Sequence, residues 1–505
     1  MYIRQKPNKS GKISIQIIDK STGKYTVVKT VGSSDDPGRI NFLLRQAQEY
    51  INGLTGQTSL QFEYQNEKDL IDQFFDNIKG INLVGPDLIL GKLFDEIGFN
   101  QIDDTLFREL VISRLCYPAS KLKTTDYLYR HKGISIDVER IYRYLDKLHN
   151  KQKVKIEQIS YEHTLKLLDG KIGVVFYDVT TIYFEIEEPD DLRKTGFSKD
   201  GKHQHPQILL GLLVSMGGYP LAYEIFEGNK FEGHTMIPVI ESFQRRFNLD
   251  NPIIVADSGL LSKSNITELE KKHYEYIIGC RIKNEKGIIQ QQILSLSLQN
   301  GQSTEIKLDD RARLIISYSE GRAKKDLSNR KRGLERLERA ISTGKLTKRN
   351  INNRGYNKYL RLEGTLKVSI DYNQWEDDAR WDGLKGYITN TKLKREDVLK
   401  QYGNLWRIER AFRISKTDLR IRPIYHRLRH RIEAHICISF CAYKIYRELE
   451  RQLKISWPSI SAEKAIEISN SIYKITIITP ITGKLESRIH IQNDEQVQLM
   501  KMFND

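Results

Sequence analysis

Two aspartates close apolar runs in this 505-residue chain: Asp178 after Val174-Val175-Phe176-Tyr177, and Asp257 after Ile253-Ile254-Val255-Ala256. A third acid, Glu409, lies in a basic stretch from Tyr402 to Lys416 whose pattern predicts a helix. An acid at the end of a buried strand is costly to desolvate unless something positive meets it. Divalent cations are suitable partners. Magnesium binds through few protein carboxylates and leaves room for phosphate oxygens and water. Two such ions about 3.5–4 Å apart activate the attacking oxygen and stabilise the leaving one in an in-line displacement. The leading chemistry is phosphoryl transfer on nucleic acid. Asp178, Asp257 and Glu409 are then both catalytic residues and ligands for two Mg2+ ions, with Mn2+ as a substitute.

Tyr402, Glu409 and Lys416 are spaced by seven, so in a continuous helix they lie on nearly one stripe. Each step of seven advances about 10 Å. A phosphate-binding Tyr and Lys would then flank the Glu along a DNA strand, with Arg410, Arg413 and Arg420 adding charge near that face. Gly403 is the point where such a helix would break.

The elements that must position these residues are legible in part. Residues 12–31 alternate apolar and polar and predict a hairpin, followed by a helix from Asp36-Pro37 to about Ile51. From Leu88 to Leu148 the pattern is helical, with stripes at Leu88, Leu90, Leu93, Phe94 and at Leu106, Leu110, Val111, Leu115. The basic tips Arg114, Lys121, Lys123, Arg130 and Lys132 suit a helical DNA-binding module, although no helix-turn-helix spacing is visible and a plain bundle fits equally. Beyond Lys171 the period changes to strands: one long strand across Ile172–Tyr177 and Thr181–Phe184, then Ile208–Ser215 and Leu221–Phe226. A helix from about Thr235 to Phe247, strand Ile253–Ala256, helix Lys263–Lys272 and strand Tyr276–Gly279 follow. Three strands in a meander, then alternating helix and strand, with acids ending the first and fourth strands, match the ribonuclease-H-like sheet. Between 286 and 380, strand-like pieces (Glu305–Leu308, Arg313–Ser319, Lys367–Tyr372) flank a basic helical stretch at 322–345 and read as an insertion.

A net charge of +16 favours a polyanionic partner, and the distribution of charge strengthens that inference. Residues 322–354 hold twelve Lys/Arg against three acids, and 404–431 hold nine against two. Such clusters would neutralise backbone phosphates. The 39% hydrophobic and 29% charged composition fits a soluble folded chain of two to four domains. The longest apolar run, Ile208 to Val214, is too short for a membrane span, and the N-terminus lacks a signal peptide's apolar core. Cys116, Cys280, Cys437 and Cys441 are scattered in apolar settings and read as buried thiols of a reducing cytosol. His203 and His205 have metal-like spacing but sit in a polar stretch, and read as surface or DNA-facing residues. His426, His430 and His435 alternate with arginines and read as helix ends facing phosphate. No nucleophile elbow and no Gly-rich phosphate loop is present.

The stretch Tyr402-x2-Leu405-x3-Glu409-x6-Lys416 resembles the Tyr-x2-Arg-x3-Glu-x6-Lys motif of bacterial DDE transposases of the insertion-sequence-four superfamily. Leu405-Trp406-Arg407-Ile408-Glu409-Arg410-Ala411-Phe412-Arg413, Tyr177-Asp178-Val179-Thr180-Thr181 and Ala256-Asp257-Ser258-Gly259 are similar to its insertion-sequence-1634 group. So are Gly196-Phe197-Ser198-Lys199, Leu419 to Tyr425 and His435. The resemblance covers roughly residues 105–450 and departs at Leu405, where the motif has Arg; Arg407 or Arg413 would have to compensate. It implies a metal-binding triad of Asp178, Asp257 and Glu409, with Tyr402 and Lys416 on DNA phosphates. It also implies a strand-rich insertion that helps bind DNA ends, where Trp375 and Trp381 are candidates for base stacking against the commoner role in a core.

The expected fold is α/β, multidomain: a ribonuclease-H-like catalytic core interrupted by an insertion and preceded by a helical N-terminal domain. The expected divisions are an N-terminal arm (1–80), a helical DNA-binding domain (81–165), catalytic core (166–285 and 381–450), insertion (286–380) and C-terminal segment (451–505). The expected function is cleavage at insertion-sequence ends and strand transfer of cut-and-paste type. Double-stranded DNA (terminal inverted repeats and target) would be the partner, the DNA complex a homodimer, and the setting the bacterial cytoplasm at the nucleoid. The alternatives are an inactive DNA-binding repressor and a nuclease that cuts without joining.

Overall fold

The computed structural model describes the chain except residues 56–70, 72–73, 187, 199–200, 202–203, 248–250, 347–349, 353–354, 364–366, 480–482 and 504–505. It divides into two units, Met1–Lys79 with Ile477–Glu486, and Gly80–Thr476 with Ser487–Asp505. The architecture is mixed α/β.

In the first unit β1 (Tyr2–Pro7), β2 (Ile13–Asp19) and β3 (Thr26–Ser34) form an antiparallel sheet in that order. The alternation of Ile13, Ile15 and Ile17 dictates the buried face, which meets Leu43, Ala47 and Ile51 of α1 (Pro37–Thr55). Asp36 caps that helix by accepting from the Gly38 and Arg39 amides, and Pro37 opens it. The hairpin expected at 12–31 therefore has a third strand. β1 carries arginine and lysine (Arg4, Lys6) on an edge and has no apolar period of its own.

Past β4 (Ile78–Leu83), five helices follow: α2 (Gly85–Ile97), α3 (Thr105–Cys116), α4 (Lys121–Lys132), α5 (Val138–Lys147) and α6 (Lys153–Leu167). Helix α6 escaped the sequence reading because its buried stripe includes Ser160 and Thr164, small polar residues that break the apolar period. They are buried because they hold Lys444: the Ser160 carbonyl lies 2.8 Å from its Nζ, and the Thr164 hydroxyl accepts beside it.

An eight-stranded sheet then forms from β5 (Val174–Tyr183), β6 (Gln207–Ser215), β7 (Pro220–Glu227), β8 (Ile253–Ala256), β9 (Tyr276–Cys280), β10 (Ser303–Lys307), β11 (Arg313–Tyr318) and β14 (Leu384–Thr389). Its order is β10-β11-β14-β9-β8-β5-β6-β7. The pairs β5–β8 and β8–β9 are parallel and the others antiparallel. On one face pack α7 (Met236–Phe247) and α8 (Lys263–Lys271), with α9 (Gly287–Leu294) beside them. The opposite face carries a larger core that takes in α2, α3 and α5 together with α12 (Arg395–Gly403), α13 (Trp406–Thr417), α14 (Arg429–Ser456), α15 (Ala462–Ser469) and α16 (Asp494–Phe503). Helix α14 is buried nearly all round from Ala434 to Glu450 and runs through the middle of this layer.

Two expected boundaries fall inside shared cores. Residues 81–165 and 166–285 are not separated at 165, because Ile89, Phe107, Leu145 and Ile156 belong to the same cluster as Phe176 and Leu210. Similarly, β10 and β11, expected in an insertion, zip onto β14 and so extend the main sheet. The part with its own small core comprises α10 (Glu320–Ser342), the hairpin β12 (Leu360–Glu363) and β13 (Lys367–Ile370), and α11 (Tyr372–Asp377). That core is Leu337, Tyr359, Leu360 and Ile370. Trp375 packs against it with its indole N–H on the Arg330 carbonyl at 3.2 Å, and Trp381 is half-buried under the main sheet.

Candidate active site

Strand β5 is buried at every position except Asp178 and its last residue, Tyr183. Side chains alternate along a strand. Phe176 and Ile182 join the core of the α13–α14 face, whereas Tyr177 and Val179 join the other. Asp178, in register with Phe176, therefore points to the α13–α14 face. On β8, Val255 belongs to that face and Ala256 to the other, so Asp257 points the same way as Asp178. The parallel register ends on Tyr177↔Ala256, the residues immediately before Asp178 and Asp257, so the two acids follow paired positions on neighbouring strands. Asp257 Oδ1 accepts from the Gly259 amide at 2.7 Å, a turn that fixes the carboxylate as the chain leaves the strand. Asp178 Oδ1 accepts from the Val179 amide at 2.7 Å.

Glu409 reaches this face from α13, whose Ile408, Ala411 and Phe412 pack on it while Glu409 itself is exposed. Its charge and that of Asp257 both act on Lys385 and on Tyr402. Among the described residues, no three His, Cys, Asp or Glu side chains stand close enough to hold a metal ion. Two of the expected carboxylates are thus brought together by strand register, and the third faces them from a helix without joining them in one cluster. The donor set, oxygen only and partly exposed, has the chemistry that a hard divalent cation takes.

The helix expected from Tyr402 to Lys416 is two. Helix α12 ends at Gly403, and α13 starts at Trp406 after a tight turn in which the Leu405 amide bonds the Tyr402 carbonyl at 2.9 Å. Tyr402 is consequently off the stripe of Glu409 and Lys416. It is buried, with its ring edge-on to Tyr387 at 4.6 Å and the Lys385 ammonium over it at 4.7 Å. A β-carbon on Gly279 would stand 2.4 Å from the Tyr402 hydroxyl oxygen, so glycine is what admits the phenol beside β9. Burial, and then the charge of Asp257, push the Tyr402 hydroxyl above its ordinary range and keep it a proton donor.

Lys385 is the participant that sequence reading missed. It lies on β14, half-buried, and burial and then Arg322 lower its pKa while Glu409 and Asp257 pull it back up. A lysine inside a strand was the available signal, obscured because β14 is short and was not expected. Tyr402, Ser258, Arg281, Lys283, Arg322 and Lys385 line a cleft of about 320 Å³. The charges of Asp257 and Glu409 therefore reach two residues of this basic cleft, Lys385 and Tyr402.

Of the other expected contacts, Arg413 is exposed and Lys416 half-buried on α13, and Arg420 is exposed just beyond it. Arg410 is ion-paired with the buried Glu450 of α14, which neutralises it. Leu405 is buried in the core, and Arg407 is held by Asn404 Oδ1 at 3.1 Å beside the Trp406 ring. His426 and His435 are buried, their rings 5.5 Å apart, and His430 pairs with Asp146 at 2.9 Å. His205 sits 6.0 Å from the Tyr183 ring, while His203 and Lys199 lie outside the described residues. Cys280, Cys437 and Cys441 are buried free thiols, and Cys116 is half-buried. No described helix is long and apolar enough to cross a membrane.

A family described as "Transposase DDE domain" matches residues 169–445, more than half of the chain. The chain belongs to the DDE transposase family. The matched span of this transposase starts just before β5 and ends within α14, so it contains Asp178, Asp257 and Glu409. No curated protein matches the sequence. Among solved structures, a piggyBac transposase synaptic complex with hairpin DNA is 10% identical over 76% of this chain and 76% of that chain, with a TM-score of 0.37. A Mos1 mariner paired-end complex with Mn is 11% identical over 46% of this chain and 67% of that chain, with a TM-score of 0.15. Overlaps this weak decide nothing about this transposase.

Proposed function

We propose that the chain is a cut-and-paste DNA transposase of the insertion-sequence-four superfamily, of the insertion-sequence-1634 kind, with a ribonuclease-H-like core. What supports this reading is that Asp178 and Asp257 directly follow paired residues of the parallel strands β5 and β8, on the face against which Ile408, Ala411 and Phe412 of α13 pack. The strand order of the sheet's centre, with two parallel pairs beside an antiparallel meander, supports the core assignment.

Asp178, Asp257 and Glu409 would hold two divalent cations, Mg2+ or Mn2+. When bound, these activate the attacking oxygen and stabilise the leaving one. The protein's own groups supply the rest. Lys385 and Arg322 neutralise phosphate charge at the cleft, and the Tyr402 hydroxyl, kept protonated by its surroundings, donates to a phosphate oxygen. Arg413, Lys416 and Arg420 extend contact along the backbone. First, water attacks the phosphorus at the element end, the P–O3′ bond breaks, and a 3′-hydroxyl is freed. That hydroxyl oxygen then attacks a target phosphodiester, forming one P–O bond as the target's P–O3′ bond breaks. Both steps are in-line displacements without a covalent enzyme intermediate. Holding two ends calls for a homodimer in the DNA complex.

The test uses a plasmid bearing the inverted repeats that flank the gene. Asp178→Ala should abolish magnesium-dependent cleavage, a fall beyond the ~10–100-fold that loss of a metal's supporting group costs, with duplex binding retained. Equal cleavage by the variant would remove Asp178 from the site. A wild-type protein that binds without cutting would favour the repressor, and one that cuts but cannot join a pre-cut 3′-hydroxyl end would favour the nuclease.

A further inference from the structure

A second cavity, of about 650 Å³, opens where the end of α3 and the start of α4 meet the segment after α13. Arg114, Lys121, Lys123, Arg420 and Arg422 line it together with His426 and His435, and no carboxylate does. Two of these cations are deeply buried: Arg114 is 4% exposed and Lys121 6%. Among the described residues, the Arg114 guanidinium reaches only the Arg420 carbonyl, at 3.5 Å. That carbonyl belongs to a residue with φ of 43°, the left-handed region that costs a non-glycine residue about 1 kcal/mol or more. Among the described residues Lys121 makes no hydrogen bond or ion pair, and the charge acting on it is another cation, Arg114. His435 faces the Ile421 carbonyl with Nε2 at 3.0 Å, which leaves its buried Nδ1 without a partner.

Buried charge left uncompensated is strongly destabilising, so a cluster of like charges implies a counter-charge from outside the chain. Its absence is felt by the groups themselves: burial lowers the Lys121 pKa well below the ordinary range and Arg114 to about 10. Of the aromatic rings at the mouth, Tyr117 is 44% exposed with one face stacked on Tyr127, and Tyr425 is 68% exposed; cations interleaved with exposed aromatic rings suit nucleic acid. The position agrees. The Arg422 guanidinium lies 5.1 Å from the Tyr183 ring centre at the end of β5, five residues beyond Asp178. At ~3.4 Å per strand residue that is roughly 17 Å.

We propose that this cavity is a phosphate-binding subsite that grips the DNA backbone to one side of the reacting phosphate, with Lys121 and Arg114 as its buried cations. The inference rests on the transposase reading, and its test separates the two.

The full-length chain is titrated with a fluorescent duplex of arbitrary sequence over a range of salt, alongside Lys121→Met, Arg422→Gln and Asp178→Asn. Each cavity variant should weaken binding about tenfold at low salt. Each should also flatten the slope of log K against log salt by about 0.9, the value of one lost phosphate contact. Without DNA, Lys121→Met should melt at or above the wild-type temperature, because it removes an uncompensated buried charge. A Lys121→Met protein that melts lower and keeps the wild-type slope would make Lys121 structural and overturn the proposal. So would a Lys121-dependent thermal shift with inorganic phosphate when the duplex slope is unchanged, since the cavity would then take a small anion. Failure of the wild-type chain to bind duplex would sink the transposase reading and this subsite together. Loss of cleavage in Asp178→Asn with its salt slope intact leaves the two claims independent.

Discussion

Charge burial organises the chemistry of single residues here. Glu157 is 1% exposed and its partner Arg246 comes from α7. Desolvation outweighs that partner and leaves the Glu157 pKa raised above its ordinary value. A raised acid binds its proton more readily in the folded state than unfolded, so stability grows as pH falls through the window above the unfolded pKa. Arg246→Met removes the partner and should cost about 3 kcal/mol near neutral pH. The loss should shrink in acid, because a protonated Glu157 carries no charge to strand. Thermal melts of both proteins across pH check this, and a pH-independent difference would show that the ion pair matters only through packing. The same physics separates Arg410, silenced by Glu450, from Arg413, which stays exposed beside Glu409.

Among the elements, the junction of β9 with α12 sets how close Tyr402 comes to the acids. Gly279 leaves just enough room for the phenol. Gly279→Ala should overpack the contact by about 1–3 kcal/mol and push the Tyr402 hydroxyl off the cleft. Tyr402→Phe in that background removes the oxygen that clashes and should recover part of the stability. A double-mutant cycle measures the coupling, and strictly additive values would mean that the two residues do not touch in solution. The break between α12 and α13 belongs to the same scale. Because the chain turns at Asn404 and Leu405, Leu405 becomes a core residue, which accounts for an apolar side chain at that position.

Across the whole molecule, the net charge is +16. The basic cleft beside Asp257 and the cavity around Lys121 belong to the same unit and are both lined by cations. If a bound duplex covers six to ten phosphates, affinity should fall about a thousandfold to a hundred-thousandfold between roughly 50 and 200 mM salt. A binding isotherm indifferent to salt would reduce the charge to a solvated surface.

The sequence by itself determined the strands and their acids. Apolar runs ended by Asp178 and Asp257 become β5 and β8 with the expected bounds nearly unchanged, because a strand buried on both faces has to be continuously apolar. It also determined Glu409's helix and the family, since motif spacing is a property of the chain. Only the tertiary structure decided which strands share a sheet, and so that β10 and β11 extend the catalytic one. It alone showed that Lys385 lies within reach of the charges of Glu409 and Asp257 and that, among the described residues, Lys121 is buried without a counter-charge. Those facts depend on contacts across long stretches of chain, where burial turns an ordinary lysine into a costly one, and no local periodicity records the neighbours a side chain will meet.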